Sequence, residues 1–526
     1  MSESLEIYDT TLRDGTQGLG VNLSLGDKLA LAQLLDDFGI DYVEGGWPGS
    51  NPKDQTFFRE VRALRLSHAK ISAFGSTRHA RGRADEDGNL RELVESRADV
   101  TCIFGKSWDL HVTAALRIAL DENLELIEDS VAFLARETRR PVFYDAEHFF
   151  DGFRENPDYA LRSIEAAARG GAVRVVLCDT NGGSLPAQIA TGVRAARERL
   201  SGVRLGIHVH DDGGLAVANT LAAVEAGCTQ VQGTINGVGE RCGNVDLTAV
   251  LANLELKLGR PCLPPGRLAR LTDVSRAVWE RMNLVGRVNQ AFVGAAAFAH
   301  KGGVHVSAMQ RDARTYEHVS PEAVGNLRQI LVSELSGRSN VAAKLSHRYP
   351  ELADPAVTAA ILKEVQDREN EGYSYESADD SFDLLVRRHL RTWHPAFELE
   401  YYRVHGIGTA GARADLVEAT VKLRVQGEMR LCVAEGNGPV DALAHAIMQA
   451  LVPVFPVLGE LQLSDYKVRV VNSADGTAAK VLVRVEHRLG ARRIGTVGVS
   501  ENVIEASWRA LVEAVEAVVL PAVAPG

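Results

Sequence analysis

Little in this sequence points to the extracellular space, a membrane or a nucleic acid. Only six cysteines are spread over 526 residues, too few for a disulfide framework in a chain of this length. No two of them (Cys102, Cys178, Cys228, Cys242, Cys262, Cys432) share the Cys-x-x-Cys spacing of a zinc or redox site, so free thiols in a reducing compartment are the simple reading. No apolar run is long enough to span a bilayer. Met1 leads straight into the charged segment EIYDTTLRDG, without the basic stretch and apolar core of a secretory signal. The expected location is therefore the cytoplasm. A surplus of basic residues is missing too. The formal net charge is −11, which argues against a surface built to contact phosphate backbones, though not against a local basic pocket for a phosphorylated cofactor.

What is present is ordinary globular composition, 45% hydrophobic and 24% charged, in a chain long enough for two or three domains. Up to residue 265, short apolar runs alternate with longer amphipathic stretches. The runs fall at 6–13, 41–48, 70–77, 99–105, 140–149, 172–180, 205–212 and 230–237. Stretches between them, such as LGDKLALAQLLDDFG and PAQIATGVRAARERL, repeat apolar residues three and four apart, as helices do. Strand, helix, strand with this regularity implies parallel pairing and right-handed crossovers. Eight such units in roughly 250 residues is the size of a closed (β/α)₈ TIM barrel, with a doubly wound open sheet as the alternative. After Pro261, Pro264 and Pro265 the alternation stops, and residues 266–390 read as helical linker subdomains without a strand pattern. Residues 391–526 read as an α+β domain in which a βββα unit is repeated, its helices being PVDALAHAIMQAL and NVIEASWRALVEAV.

An active site in such a barrel lies where the strands end. Those ends carry Arg13-Asp14, Glu44, Lys106, Glu147-His148, Asp179-Thr180-Asn181, His208, His210, Asp211 and Asn236. Packing alone does not explain polar groups at one end of seven separate strands. His208-Val209-His210 is the sharpest feature: alternate strand residues share a face, so both imidazoles point to the barrel mouth. The bland reading is two core histidines. Two at this spacing, followed by Asp211 and Asp212, favour a metal, and Asp14 at the end of the first strand reaches the same space. Two imidazoles and a carboxylate suit a divalent ion that polarises a carbonyl; Mg²⁺, Mn²⁺ and Zn²⁺ all fit. In GVGERCGNVDL the glycines let the loop turn sharply, which makes Asn244 a candidate fourth ligand and Glu240-Arg241 a candidate buried supporting pair. Arg13 is placed to stabilise an oxyanion beside that metal, or else forms a plain ion pair with Asp14 or Glu44.

YDTTLRDGTQ, HVHDD and GVGERCGN together resemble the DRE-type metal-dependent barrels, which include isopropylmalate, homocitrate and citramalate synthases and the hydroxymethylglutaryl-CoA lyases. AFAHKGGVHVSAM with TYEHVSPEAVGN is similar to the synthase subdomain, and the last 130 or so residues to a C-terminal regulatory domain that the lyases lack. EGGWPGSNPKD, FYDAEHFFDGF and CDTNGG are most similar to the citramalate branch. The resemblance implies a metal set of Asp14, His208, His210 and Asn244, and Arg13 as the electrostatic catalyst. Glu147 and Thr180 become substrate-site and catalytic residues. His305 becomes the group that helps enolise acetyl-CoA, with Tyr316 near it, on a subdomain that in related synthases reaches the partner chain's site. Ser307 and Ala308 depart from the G-x-H-x-D-G pattern of the leucine-pathway enzymes. The implied reaction is a Claisen-type condensation of acetyl-CoA with a 2-oxo acid. Pyruvate is expected, with 2-oxoisovalerate or 2-oxoglutarate as the sibling alternatives. An amino-acid effector, isoleucine, and a homodimer are the implied partners.

Overall fold

The computed structural model describes residues 5–331, 341, 344–345, 348–376, 378–407, 416–472, 476, 478–490 and 492–520. The chain divides into two compact units, residues 1–298 with 319–327, and residues 299–318 with 328–526.

The first unit alternates strand and helix. Its elements are β1 (Glu6–Asp9), α1 (Leu25–Phe38), β2 (Tyr42–Gly46), α2 (Pro52–Glu60), β3 (Lys70–Ser76), α3 (Gly88–Ser96), β4 (Val100–Lys106) and α4 (Leu120–Thr138), followed by β5 (Val142–Glu147), α5 (Phe149–Glu155), α6 (Pro157–Arg169), β6 (Arg174–Asp179), α7 (Pro186–Arg199), β7 (Arg204–Val209), α8 (Ala216–Ala226), β8 (Gln230–Gly233), α9 (Leu247–Leu256) and α10 (Leu271–Arg281). The strands pair in parallel in chain order, and β8 returns to β1 through Glu6↔Gln230 to Asp9↔Gly233. All eight expected strands are present, and the last pairing excludes the open sheet.

Local chemistry sets the helix limits. Ser24 and Asp27 form a capping box at the start of α1, and Gly39 ends it at φ 103°. A Cβ at Gly39 would lie 2.3 Å from the ring of Pro264, so glycine is required there. Asn156 caps α6, and Pro157 occupies its first turn.

Side chains along each strand alternate between helices and bore. The helix-facing set, including Ile7, Val43, Ile71, Ile103, Val175, Ile207 and Val231, is aliphatic and buried. The bore is different. Tyr8, Tyr42, Phe74, Val100, Cys102 and Phe143 form a separate cluster there, joined by the buried polar groups Glu44, Ser72, Asp145 and Gln232. At the end away from the site, fully buried Arg174 is paired with Glu6.

The middle of the chain is mostly helical, as expected, but it does contain strand. In the second unit β9 (Ala299–His300) and β10 (Gln329–Ile330) form a two-residue parallel ladder around α11 (Gly303–Arg311). A purely helical reading misses it because two residues carry no periodicity. Next come α12 (Pro355–Asn370) and α13 (Asp379–His389). The repeat is then explicit: β11 (Glu398–Ile407), β12 (Leu416–Val425), β13 (Glu428–Gly436) and α14 (Pro439–Leu451) are followed by β14 (Gln462–Val470), β15 (Val481–Leu489), β16 (Arg492–Ser500) and α15 (Val503–Val519). Each half is a three-stranded antiparallel sheet, and the first strand of each carries a register shift at the matching place, Leu399/Tyr401 and Leu463/Asp465.

His487 on β15 is buried beside Val483 and Val485, and its Nδ1 has no partner among the described residues. Burial pushes its imidazole down to about 4, against ~6.5 in an unfolded chain. Between those values the unfolded state holds the proton and the folded state does not, so stability falls as pH drops from about 6.5 toward 4. Hydrogen exchange in β15, corrected for its intrinsic pH dependence, should show less protection at pH 5 than at pH 7 in the wild type and a smaller loss in His487→Leu. Equal losses would contradict this assignment.

Candidate active site

β7 delivers both histidines to the same space. His208 Nε2 and His210 Nε2 lie 3.3 Å apart, and Asp14 Oδ2 is 3.5 Å from the first and 4.0 Å from the second. All three residues are buried, and together they form a cluster able to hold a metal ion. The loop after β8 adds Asn244. It folds back along the end of β7, with Val245 N donating to Val209 O, Asp211 N donating to Gly243 O, and a bridge between His210 and Asn244. The turn works only with glycine: Gly243 has φ 97°, and a Cβ there would lie 2.0 Å from the Gly237 carbonyl oxygen. Asn244 Oδ1 is buried with no protein partner among the described residues, which would cost about 1–3 kcal/mol if it stayed unsatisfied.

Protonation points the same way. Burial would raise the Asp14 carboxyl, but Arg13 and the two imidazoles hold it below its ordinary value. Burial lowers His208, and burial together with His208 pushes His210 down to about 4. The site therefore holds a carboxylate and two neutral imidazoles. His208 Nδ1 sits 3.0 Å from Gln232 Oε1, which commits its proton there and leaves Nε2 bare. A second bare nitrogen 3.3 Å away is repulsive. His210 could relieve it only by carrying its proton on Nε2, and its Nδ1 has no partner. A divalent cation satisfies all four donors with no proton at either Nε2, and the residue set fits such an ion.

Arg13 is more tightly held than a single ion pair requires. Its Nε donates to Glu44 at 2.6 Å, Nη1 lies 3.3 Å from Asp14, and Cζ sits 3.6 Å over the Phe74 ring. Glu44, fully buried, also accepts from Thr10 and from Tyr8. The guanidinium thus combines both sequence-level readings: it is ion-paired, and it lines the cavity. That cavity, about 220 Å³, is bounded by Arg13, Asp14, Glu147, Thr180, His208 and His210, with Trp47, Phe74, Phe104, Asp145 and Cys178. Glu147 is paired with Lys106. Thr180 Oγ1 accepts from His148 N at 2.8 Å.

Several expected groups do other work. Glu240 and Arg241 are not a buried pair: their side chains are 59% and 39% exposed, and Arg241 reaches Asp212 at 2.8 Å and the Thr180 carbonyl. They line the mouth of the same cavity and stay solvated there. The Asn236 amide points away from the mouth and bonds Ser275 and Gln290. His148 turns to Asp151. Asp211 accepts from Ala216 N at the start of α8. His305 and Tyr316 belong to the second unit, where their rings stack 4.1 Å apart with His305 exposed. The aromatic wall of Trp47, Phe74 and Phe104, with centroids 5.6–5.8 Å apart, was not anticipated, nor were the bore residues Asp145 and Gln232. The available signal was a polar or aromatic residue at a bore-facing position, where aliphatic side chains are usual.

Three family models match successive stretches of the chain. Residues 4–278 match the HMGL-like family model, residues 292–370 the homocitrate synthase post-HMGL domain-like model, and residues 376–519 the LeuA allosteric (dimerisation) domain model. The chain is 49% identical over 514 residues to the (R)-citramalate synthase of Geobacter sulfurreducens, covering 97% of each chain. It is also 49% identical over 513 residues to that of Aquifex aeolicus, again covering 97% of each. The 2-isopropylmalate synthase of Methylorubrum populi is 33% identical over 516 residues, covering 97% of this chain and 94% of its own.

Replacing His210 by Asn should abolish turnover and weaken Mn²⁺ binding by about a hundredfold or more while leaving the circular dichroism spectrum unchanged, since one of few ligands is lost. Gly243→Ala should weaken binding through displacement of Asn244. Full activity in His210→Asn would refute the metal assignment.

Proposed function

Since the chain belongs to the HMGL-like family and, along nearly its whole length, to that of the (R)-citramalate synthases, we propose that it condenses acetyl-CoA with pyruvate to give (R)-citramalate and free CoA. The observation that carries pyruvate over larger 2-oxo acids is the aromatic wall. Trp47 is locked by a 2.7 Å bond from Nε1 to Asn89 Oδ1, and Phe74 is pinned under Arg13. A methyl group fits beside rigid rings in a cavity of about 220 Å³. We assign Trp47, Phe74 and Phe104 to meeting the side chain of the 2-oxo acid, where a branched group crowding a fixed ring would cost about 1–3 kcal/mol.

Asp14, His208, His210 and Asn244 would hold a divalent ion, with Mg²⁺, Mn²⁺ and Zn²⁺ all compatible; when bound, it would supply Lewis acidity to the ketone carbonyl of the 2-oxo acid. Arg13 faces the cavity with its charge fixed by Glu44, and so is placed to stabilise the alkoxide that develops as the new carbon–carbon bond forms. Glu147 and His305 are our candidates for removing a methyl proton from acetyl-CoA, and Thr180 and Tyr316 for contacting substrate. Hydrolysis of the thioester by water then releases CoA and makes the step irreversible.

We assign residues 1–265 to catalysis, 266–390 to connecting subdomains and 391–526 to regulation. The match to the LeuA allosteric (dimerisation) domain model supports a homodimer with an amino-acid effector. Isoleucine suits a citramalate-forming enzyme as end product. Among the described residues no helix is long and apolar enough to cross a membrane, and we place the enzyme in the cytoplasm.

Free-CoA release from acetyl-CoA should be highest with pyruvate in a panel with 2-oxoisovalerate and 2-oxoglutarate. Phe104→Ala should raise the ratio of 2-oxoisovalerate to pyruvate turnover about tenfold or more. No preference for pyruvate would overturn the substrate assignment. Isoleucine added to the same assay should inhibit and leucine should not; indifference to both would remove the effector.

A further inference from the structure

Below the metal donors a chain of four buried side chains crosses the bore. Cys102 Sγ, on β4, donates to Asp145 Oδ1, on β5, at 3.1 Å. Gln232 Nε2, on β8, donates to the same oxygen at 3.3 Å. The amide oxygen of Gln232 then faces His208 Nδ1, on β7, at 3.0 Å. The four residues are between 0% and 5% exposed, so no bulk water competes for these bonds.

The order of donors follows from the acceptor in the middle. An amide between two groups offers its NH₂ to one and its oxygen to the other. If Gln232 turned over, its oxygen would meet Asp145 Oδ1, acceptor against acceptor. Its NH₂ would meet His208 Nδ1, which would then have to be the bare nitrogen, and the imidazole proton would stand on Nε2, where the cation must bind. Asp145 removes that choice. Its Oδ1 accepts in the carboxylate and in the acid protonated on Oδ2, and both forms hold the chain in this direction.

We infer that Gln232, oriented by Asp145 across the barrel, is a positioning residue that fixes the tautomer and ring orientation of His208 and thereby sets the cation affinity of the site. The inference rests on the metal reading of Asp14, His208 and His210. It concerns Gln232, which is not among the residues bounding the cavity, and outer partners of this kind are worth about ten- to a hundredfold in affinity.

The test uses the full-length apo-protein, prepared by chelation, and Mn²⁺ as the probe in calorimetric titration. Gln232→Met keeps the length of the side chain but offers no oxygen to His208; Gln232→Glu keeps an oxygen there and meets the Asp145 oxygen through a shared carboxyl proton in place of the amide NH₂. Expected are a Kd about ten- to a hundredfold weaker for Gln232→Met and within about threefold of wild type for Gln232→Glu. Long-range ¹H–¹⁵N spectra of histidine-labelled apo-protein should show the Nδ1–H tautomer at His208 in the wild type and in Gln232→Glu, and a mixture in Gln232→Met. The wild-type spectrum needs no variant to fold. A wild type carrying its proton on Nε2, or a Gln232→Met protein that binds Mn²⁺ as tightly as wild type, would overturn the inference. A wild type that binds no Mn²⁺ at all would instead overturn the metal reading on which it rests.

Discussion

Two neutral imidazole nitrogens held 3.3 Å apart beside a buried carboxylate are the constraint around which the barrel is organised. Such a group is costly unless a cation lies among its lone pairs, because buried acceptors without donors lose their solvation and recover nothing. The protein builds it from segments far apart in sequence: the end of β1, the end of β7 and a glycine-rich loop zipped back onto β7. Each part is fixed by backbone rather than by the donors' own attraction. The geometry is therefore present before any ligand arrives, which is the arrangement preorganised electrostatic catalysis needs.

The bore explains how the arrangement persists. TIM barrels usually fill this space with branched aliphatic side chains. Here two polar systems run down it: Glu44 gathers Arg13, Thr10 and Tyr8, while Asp145 gathers Cys102 and Gln232. The first aims a guanidinium at the cavity and the second aims a lone pair at the metal position. The Asp145 carboxyl, raised to about 7 by burial and by Glu44, shows the cost of keeping two acids in one bore. Above these systems the aromatic wall is packed against the guanidinium itself, so the groups proposed for charge stabilisation and for substrate size share a support.

The barrel was legible because its signals are periodic and repeated. Eight strands, their order and the two histidines at spacing two all follow from alternation and position. Asp14 and Asn244 were reachable from the same reading because each stands at a strand end or in a loop that glycine marks. What stayed hidden depends on contacts across the bore. Asp145 and Gln232 are 87 residues apart, and no local pattern says that they meet. Asn236 misled for the opposite reason: strand-end position alone does not say whether a side chain turns to the cavity or away from it. The two-residue strands at 299–300 and 329–330 are too short to leave a period.

The most direct test of the cation is crystallographic. Crystals of the full-length protein equilibrated with Mn²⁺ should give an anomalous difference peak at the manganese edge among Asp14 Oδ2, His208 Nε2, His210 Nε2 and Asn244 Oδ1. A map with no peak among these atoms, or imidazoles turned so that their Nε2 atoms no longer face the carboxylate, would contradict it.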